Sequence, residues 1–289
     1  MTSLSRARAR PAAPRMAPVA AVRTLLRAAL LVAGAVAMPV FAAPFELGAA
    51  PSRYELASKP GDRVGQVLDL QNMGNATTDL TLRTLDWTYT AEGQIGYHDE
   101  LLPGSCRPWV TLERRSLKLG PMEKRRFRFQ IDVPPDAPRQ ECRFMIAIEG
   151  VEPAYQALVR EQGLNLRLPV SGRIAVAVYV AVGGAAPRLV LESAGMREQQ
   201  GRRQPVVVVR NDGDAHGRLS GSLDARGADG RQQEWLAEGT PVMPGQTRQL
   251  LLSPRPEEGL VPKPLPLPVR TTGLLDWEEG SFRVEAEFR

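Results

Sequence analysis

The chain has 289 residues, 43% of them hydrophobic and 24% charged, with 37 Lys+Arg against 32 Asp+Glu, two histidines and two cysteines. His98 and His216 lack ligand spacing to the two cysteines, which excludes a zinc site of the usual kind. The formal charge of +5 suggests a basic protein, but the surplus belongs to the first segment alone. Arg6, Arg8, Arg10, Arg15, Arg23 and Arg27 all precede Glu46, the first acidic residue. An apolar run from Ala28 to Val40 follows, broken only by Gly34 and Pro39, and Val40-Phe41-Ala42 offers small side chains at the −3 and −1 positions of a signal-peptidase site. Residues 1–42 therefore read as a cleavable export signal, with a mature start near Ala43; Met1 and Met16 both stand as possible starts. A cut after Ala43 is disfavoured because Pro44 would flank it. The apolar run is short of the about 20 residues that span a bilayer, so stable membrane insertion is not expected, an uncleaved anchor being the alternative. Without the six arginines, 31 basic residues face 32 acidic ones. That near-neutral remainder gives no case for nucleic-acid binding.

Along the mature chain, short β-rich runs are separated by Gly, Pro and Asn. Val64 to Leu70 alternates and ends in the turn Asn72-Met73-Gly74-Asn75; Leu80, Leu82 and Leu85 lie on a second run. Cys106 and Cys142 are the only cysteines. In an oxidising compartment such a pair is most simply a disulfide, two buried thiols being the alternative. Phe127, Phe129, Ile131 and Val133 alternate with Arg126, Arg128, Gln130 and Asp132, the pattern of a strand with one wet face. Phe144 to Ile148 predicts another strand, and Leu164 to Val180 a single long one. No segment carries a capped helical period. The order also repeats: Leu68 to Asn75 has a counterpart in Val207 to Asp214, and Leu119-Gly120-Pro121-Met122-Glu123 an echo in Met243-Pro244-Gly245-Gln246-Thr247. Convergent turn chemistry would give the same echo; two copies of one sandwich explain it more simply. The prediction is an all-β chain of two tandem immunoglobulin-like β-sandwiches, residues 43–184 and 185–289, dividing near Gly183–Pro187. The proline-rich stretch from Pro254 to Pro268 predicts an extended surface loop.

Catalytic chemistry is not legible. No phosphate-cradling Gly loop, Gly-x-Ser-x-Gly elbow or His-Glu-x-x-His occurs. Asp86, Asp99 and Glu100 could be gathered by folding, but acidic residues on a sandwich are usually solvated. The expectation is a protein that is not an enzyme and uses no cofactor and no metal. Binding is what remains.

Pro138-Arg139-Gln140-Glu141-Cys142-Arg143-Phe144, followed by Ile146, Ile148 and Pro153, resembles the signature of the periplasmic pilus chaperones of the chaperone–usher pathway. It departs from that signature at Gln140, at Cys142 and after Phe144. Leu164, Leu166 and Leu168, alternating with Asn165 and Arg167 and followed by Arg173, are similar to that family's subunit-binding strand; Arg53-Tyr54-Glu55-Leu56 is similar to its first strand. The resemblance covers roughly Ala49 to Val182. It implies a donor strand at Leu164, Leu166 and Leu168 that enters the groove of an incomplete pilus or fimbrial subunit. It also implies that Arg53 and Arg173 anchor the subunit's C-terminal carboxylate, and that an outer-membrane usher is the second partner. Pro169 removes one ladder donor and would limit the donated segment to residues 164–168. The bland alternatives are a core-facing leucine strand and unrelated surface arginines. For the whole chain they are an exported adhesion or envelope-binding module without strand donation, or an accessory enzyme domain with a scattered site.

Overall fold

A computed structural model describes residues 46–151, 155–161, 164–170, 172–199, 201–256 and 261–289; the expected signal, residues 1–42, lies outside them. The structure is all-β. In the first half, β1 (Leu47–Ala50), β3 (Arg63–Asn72), β8 (Lys124–Asp132) and β6 (Val110–Leu112) form one sheet in the order β1-β3-β8-β6. The facing sheet runs β2 (Arg53–Ser58), β12 (Arg173–Val182), β9 (Gln140–Gly150), β4 (Thr78–Tyr89) and β5 (Ile95–His98), with β7 (Ser116–Leu119) also on β4. The alternation read in β8 is what closes this sandwich: Phe127, Phe129 and Ile131 are buried while Arg126 and Arg128 face water. They pack with Leu68, Leu82, Phe144, Ile146, Val178 and Val180, each such side chain contributing about 1.5–3 kcal/mol on burial. Cys106 and Cys142 form a disulfide, Cα–Cα 5.7 Å, which ties the loop before the 3₁₀ turn at Arg107–Trp109 to β9.

Between β9 and β12 the chain makes a hairpin, β10 (Tyr155–Glu161) and β11 (Leu164–Val170), paired Ala157 to Leu168 and Val159 to Leu166. β9 and β12 already pair antiparallel, Glu149 beside Arg173, so the same two segments pair again farther out. The single long strand expected from Leu164 to Val180 is thus two. Gly172 lies outside both, and β10–β11 is a sheet of its own that, among the described residues, joins neither sandwich sheet.

The second half follows the order β13 (Leu189–Gln199), β14 (Arg202–Asn211), β17 (Thr247–Pro254), β16 (Gln232–Ala237), β15 (Ser220–Arg226), β18 (Val269–Trp277), β19 (Gly280–Phe288). β17 changes partner midway, pairing with β14 through Leu251 and with β16 from Leu252. The folded sheet encloses Val207, Val209, Leu223, Trp235, Leu250 and Phe288. The proline-rich stretch is more than a surface loop, because Leu265 is buried in this core.

The sequence repeat has a physical cause. Asn72 and Asn211 are buried, and each ties a strand end to two loops. Asn72 Nδ2 donates to the carbonyls of Ala76 (2.7 Å) and Gly120 (2.9 Å), while its Oδ1 accepts the Gly74 N–H (3.0 Å). Asn211 Nδ2 donates to Ala215 (2.7 Å) and Val242 (2.8 Å), and its Oδ1 accepts the Gly213 N–H (2.8 Å). The echoed turns receive the same asparagines' backbone: Asn72 N–H reaches the Glu123 carbonyl and Asn211 N–H that of Gln246, both at 2.9 Å. Both turns place a residue at positive φ, Gly245 at 72° and Met122 at 55°.

Candidate functional site

The middles of β9 and β12 are apolar on both faces, although Glu141, Arg143, Glu149 and Arg173 lie toward their ends, and one core cannot account for that. Their second face belongs to a separate cluster of Leu85, Trp87, Tyr89, Met145, Ala147 and Tyr179, with Met243 arriving from the second sandwich and Ala175 and Ala177 packed at its side. Register sets the residues of this face in rows. Arg53 lies beside Ala177, which lies beside Met145 and then Leu85. One row nearer the second sandwich, Glu55 neighbours Tyr179 and Tyr179 neighbours Arg143. On the other side come Ala175, Ala147 and Arg83, and then Arg173, Glu149 and Thr81.

The sandwiches meet on this face through charge. His216 stacks on Tyr179 with ring centroids 3.9 Å apart; its Nδ1 is 2.5 Å from Glu141 Oε2 and its Nε2 is 3.4 Å from Glu55 Oε1. Arg218 donates to Glu55 (3.2 Å) and to the Tyr179 hydroxyl (3.1 Å). Burial pushes that hydroxyl up to about 12. Burial also raises Glu55, but the charges of His216, Arg53 and Arg218 outweigh it and hold the carboxyl below its ordinary value. Gln246 donates to the Tyr89 carbonyl (2.7 Å), and the Arg248 guanidinium carbon sits 4.7 Å from the centroid of the Tyr89 ring. Arg139 pairs with Asp214 at 2.7 Å. A cavity of about 390 Å³ opens beside this joint, lined by Glu55, Glu141, Tyr179, His216, Arg218 and Glu279 among others.

Arg53 and Arg173 share this face without being neighbours. Arg53 is level with Ala177, four residues from Arg173, or about 13 Å along a strand. Each also holds a glutamate: Arg53 Nε lies 2.9 Å from Glu55 and Arg173 Nε 2.5 Å from Glu149. Glu149 is kept below the ordinary carboxylate range by its hydrogen bond to Arg83, with Arg173 adding to it. Leu164, Leu166 and Leu168 occupy alternate positions of β11. The carboxylates considered for chemistry are engaged elsewhere. Asp86 organises a loop through the Leu102 N–H (2.9 Å), the Ser105 hydroxyl (2.6 Å) and Arg107; Asp99 pairs with Arg83 and Glu100 with His98. Among the described residues, no group of three His, Cys, Asp or Glu side chains is placed to hold a metal, and no helix is long and apolar enough to cross a membrane.

Sequence reading missed Glu141, Arg143, Tyr179, His216 and Arg218 as residues of one site. Two clues were present: Tyr179 shares parity with Arg173 along β12, and Glu141 and Arg143 lie within the motif around Phe144.

No family model matches the sequence, and no curated protein matches it. Similar solved structures include the Escherichia coli chaperone DraB, at 15% identity over 85% of this chain and 97% of that one, TM-score 0.42. A chain of the Salmonella enterica SafA pilin–SafB chaperone complex matches at 14% identity, covering 84% of this chain and 98% of its own length, TM-score 0.44. The Pseudomonas aeruginosa CupB2 chaperone matches at 13%, covering 81% and 97%, TM-score 0.41. At such identities and scores the likeness assigns neither a family nor a function.

Proposed function

We propose that the chain is a non-enzymatic periplasmic chaperone that caps pilus- or fimbria-like subunits by donating a strand and delivers them to an outer-membrane usher. The observation that supports this reading is the β10–β11 hairpin, which continues from the central strands β9 and β12 yet, among the described residues, pairs with neither sandwich sheet. A subunit lacking a strand exposes unpaired edge groups and an open groove, an aggregation hazard. An added strand supplies ladder hydrogen bonds, and alternate side chains, here Leu164, Leu166 and Leu168, fill the groove. Fully buried, each leucine contributes about 1.5–3 kcal/mol. In this reading residues 43–184 make the subunit-binding half, and the carboxylate anchor lies on the face that holds Arg53 and Arg173.

The test is affinity capture of a tagged chain from the periplasm of its own host, with the co-purifying protein identified by mass spectrometry. Wild type should retain a subunit, and replacing Leu164, Leu166 and Leu168 together by serine should lower its recovery at least about tenfold, since even about 1.4 kcal/mol is worth that factor. Undiminished capture by the triple variant would sink strand donation and favour an envelope-binding module.

A further inference from the structure

The cavity of about 390 Å³ beside the joint has walls from both sandwiches and a one-sided charge. Glu55 on β2 and Glu141 on β9 come from the first sandwich; Glu278 and Glu279, the turn between β18 and β19, come from the second. Against these carboxylates stand Arg218 and His216, and both are engaged. Arg218 serves Glu55, the Tyr179 hydroxyl and the Gly239 carbonyl, while His216 lies between Glu141 and Glu55. The Glu141 side chain is only 2% exposed. Its Oε2 lies 2.5 Å from His216 Nδ1 and accepts the His216 backbone N–H at 3.1 Å, whereas its Oε1 is buried with no partner among the described residues. Glu278 and Glu279 are exposed, and among the described residues neither forms an ion pair. Leu56, Ala181, Ala185, Pro187 and Ala215 make the rest of the wall small and apolar.

A buried carboxylate oxygen without a donor is costly, and a partly enclosed surplus of negative charge draws a cation. The donor set does not suit a metal ion, since among the described residues no three His, Cys, Asp or Glu side chains are placed to hold one. A guanidinium fork is best met by both oxygens of one carboxylate, and Oε2 of Glu141 is already taken. An ammonium is a compact charge that can use the single free oxygen, with its alkyl stem laid along the alanine wall. The volume falls within the about 300–1,000 Å³ of small-ligand sites. We propose that this cavity binds a primary ammonium on an aliphatic stem, its head at Glu141 Oε1 and the exposed Glu278 and Glu279 drawing it in. A free alkylamine and a lysine side chain of a partner both carry that chemistry. Because both sandwiches wall the cavity, occupancy opposes their separation. The site is independent of strand donation, which uses β11.

The test uses the mature chain, without a histidine tag, and with its histidines ¹³C-labelled for NMR. The two histidines give one signal each, and His98→Gln tells them apart. His216 lines the cavity, while His98, on β5 and outside the cavity wall, reports general effects of added charge. Three probes are titrated at one pH and ionic strength: 1,4-diaminobutane, Nα-acetyl-lysinamide and the uncharged 1,4-butanediol. The diamine should move the His216 signal saturably, leave His98 in place, and bind at least about tenfold more tightly than the diol, the scale of one charge-assisted contact. Glu141→Gln should weaken it about tenfold. Glu278→Gln with Glu279→Gln, a change confined to an exposed turn, should weaken it about threefold, the scale of surface charges, and keeps the test open if Glu141→Gln unsettles the joint. A lysinamide response equal to that of the diamine assigns the site to a partner's lysine; a response to the diamine alone assigns it to a free amine. No saturable shift of His216 with either amine, a shift of His98 in step with it, equal binding of the diol, or unchanged affinity in both variants overturns the proposal. The wild-type comparison needs no variant to fold.

Discussion

Asn211→Ala should lower the unfolding free energy by about 3–5 kcal/mol, because the change leaves several buried polar groups without partners at about 1–3 kcal/mol each. The side chain is fully buried and joins four backbone groups: the carbonyls of Ala215 and Val242, and the N–H groups of Gly213 and Arg188, the last at 3.1 Å. Alanine fills none of these roles, and the corner at 211–215 is too tight to re-form around it. A Cβ on Gly213 would sit 2.3 Å from the Ala186 carbonyl oxygen and 2.4 Å from the Arg188 nitrogen. The corner also carries Asp214, which accepts the Ala186 N–H at 2.7 Å and pairs with Arg139 of the first sandwich, so its loss should loosen the joint. Urea unfolding measures the effect as a drop in midpoint at unchanged slope. A loss below about 1 kcal/mol, the net worth of a single ordinary hydrogen bond, would contradict the account.

The second large effect concerns the disulfide. Cys106 and Cys142 are 36 residues apart, and closing a loop of that length removes enough unfolded-state entropy to stabilise the fold by about 3–4 kcal/mol. Replacing both by alanine should cost that amount, with an added packing loss because Cys106 and Cys142 are almost fully buried. The damage should concentrate in the loop before Arg107–Trp109, where Asp86 gathers Leu102, Ser105 and Arg107. Comparing urea midpoints of wild type and the double variant decides it. Midpoints that coincide would mean that Asp86 and its partners hold the loop without the bridge.

Legibility in the sequence divided along a physical line. What depends on one strand was readable: the alternation of Phe127, Phe129 and Ile131, the turns after Asn72 and Asn211, and the pairing of two cysteines. What depends on register between strands was not. Spacing along the chain places Arg173 five residues after Leu168, but only the alignment of β2 on β12 sets Arg53 opposite Ala177 rather than Arg173. The site's joint has the same character, since His216 and Glu141 are 75 residues apart and meet only through tertiary packing. Phe144 to Ile148 in β9 and Ile174 to Val180 in β12 read simply as apolar because both of their faces are covered, so the composition that marks them as central also hides which face carries the arginines at the strand ends. Leu265 was missed for a related reason: prolines mark the stretch as irregular, and irregular chain can still plug a core.

The most direct measurement of strand donation is amide hydrogen exchange across residues 155–170, in the free chain and in complex with the subunit captured from the periplasm. Donation predicts that the amides of residues 164–168 slow by about 100-fold or more on binding, as ladder pairing removes them from solvent, while the cores around Phe127 and Leu250 change little. Exchange at 164–168 that stays the same in an intact complex would contradict it.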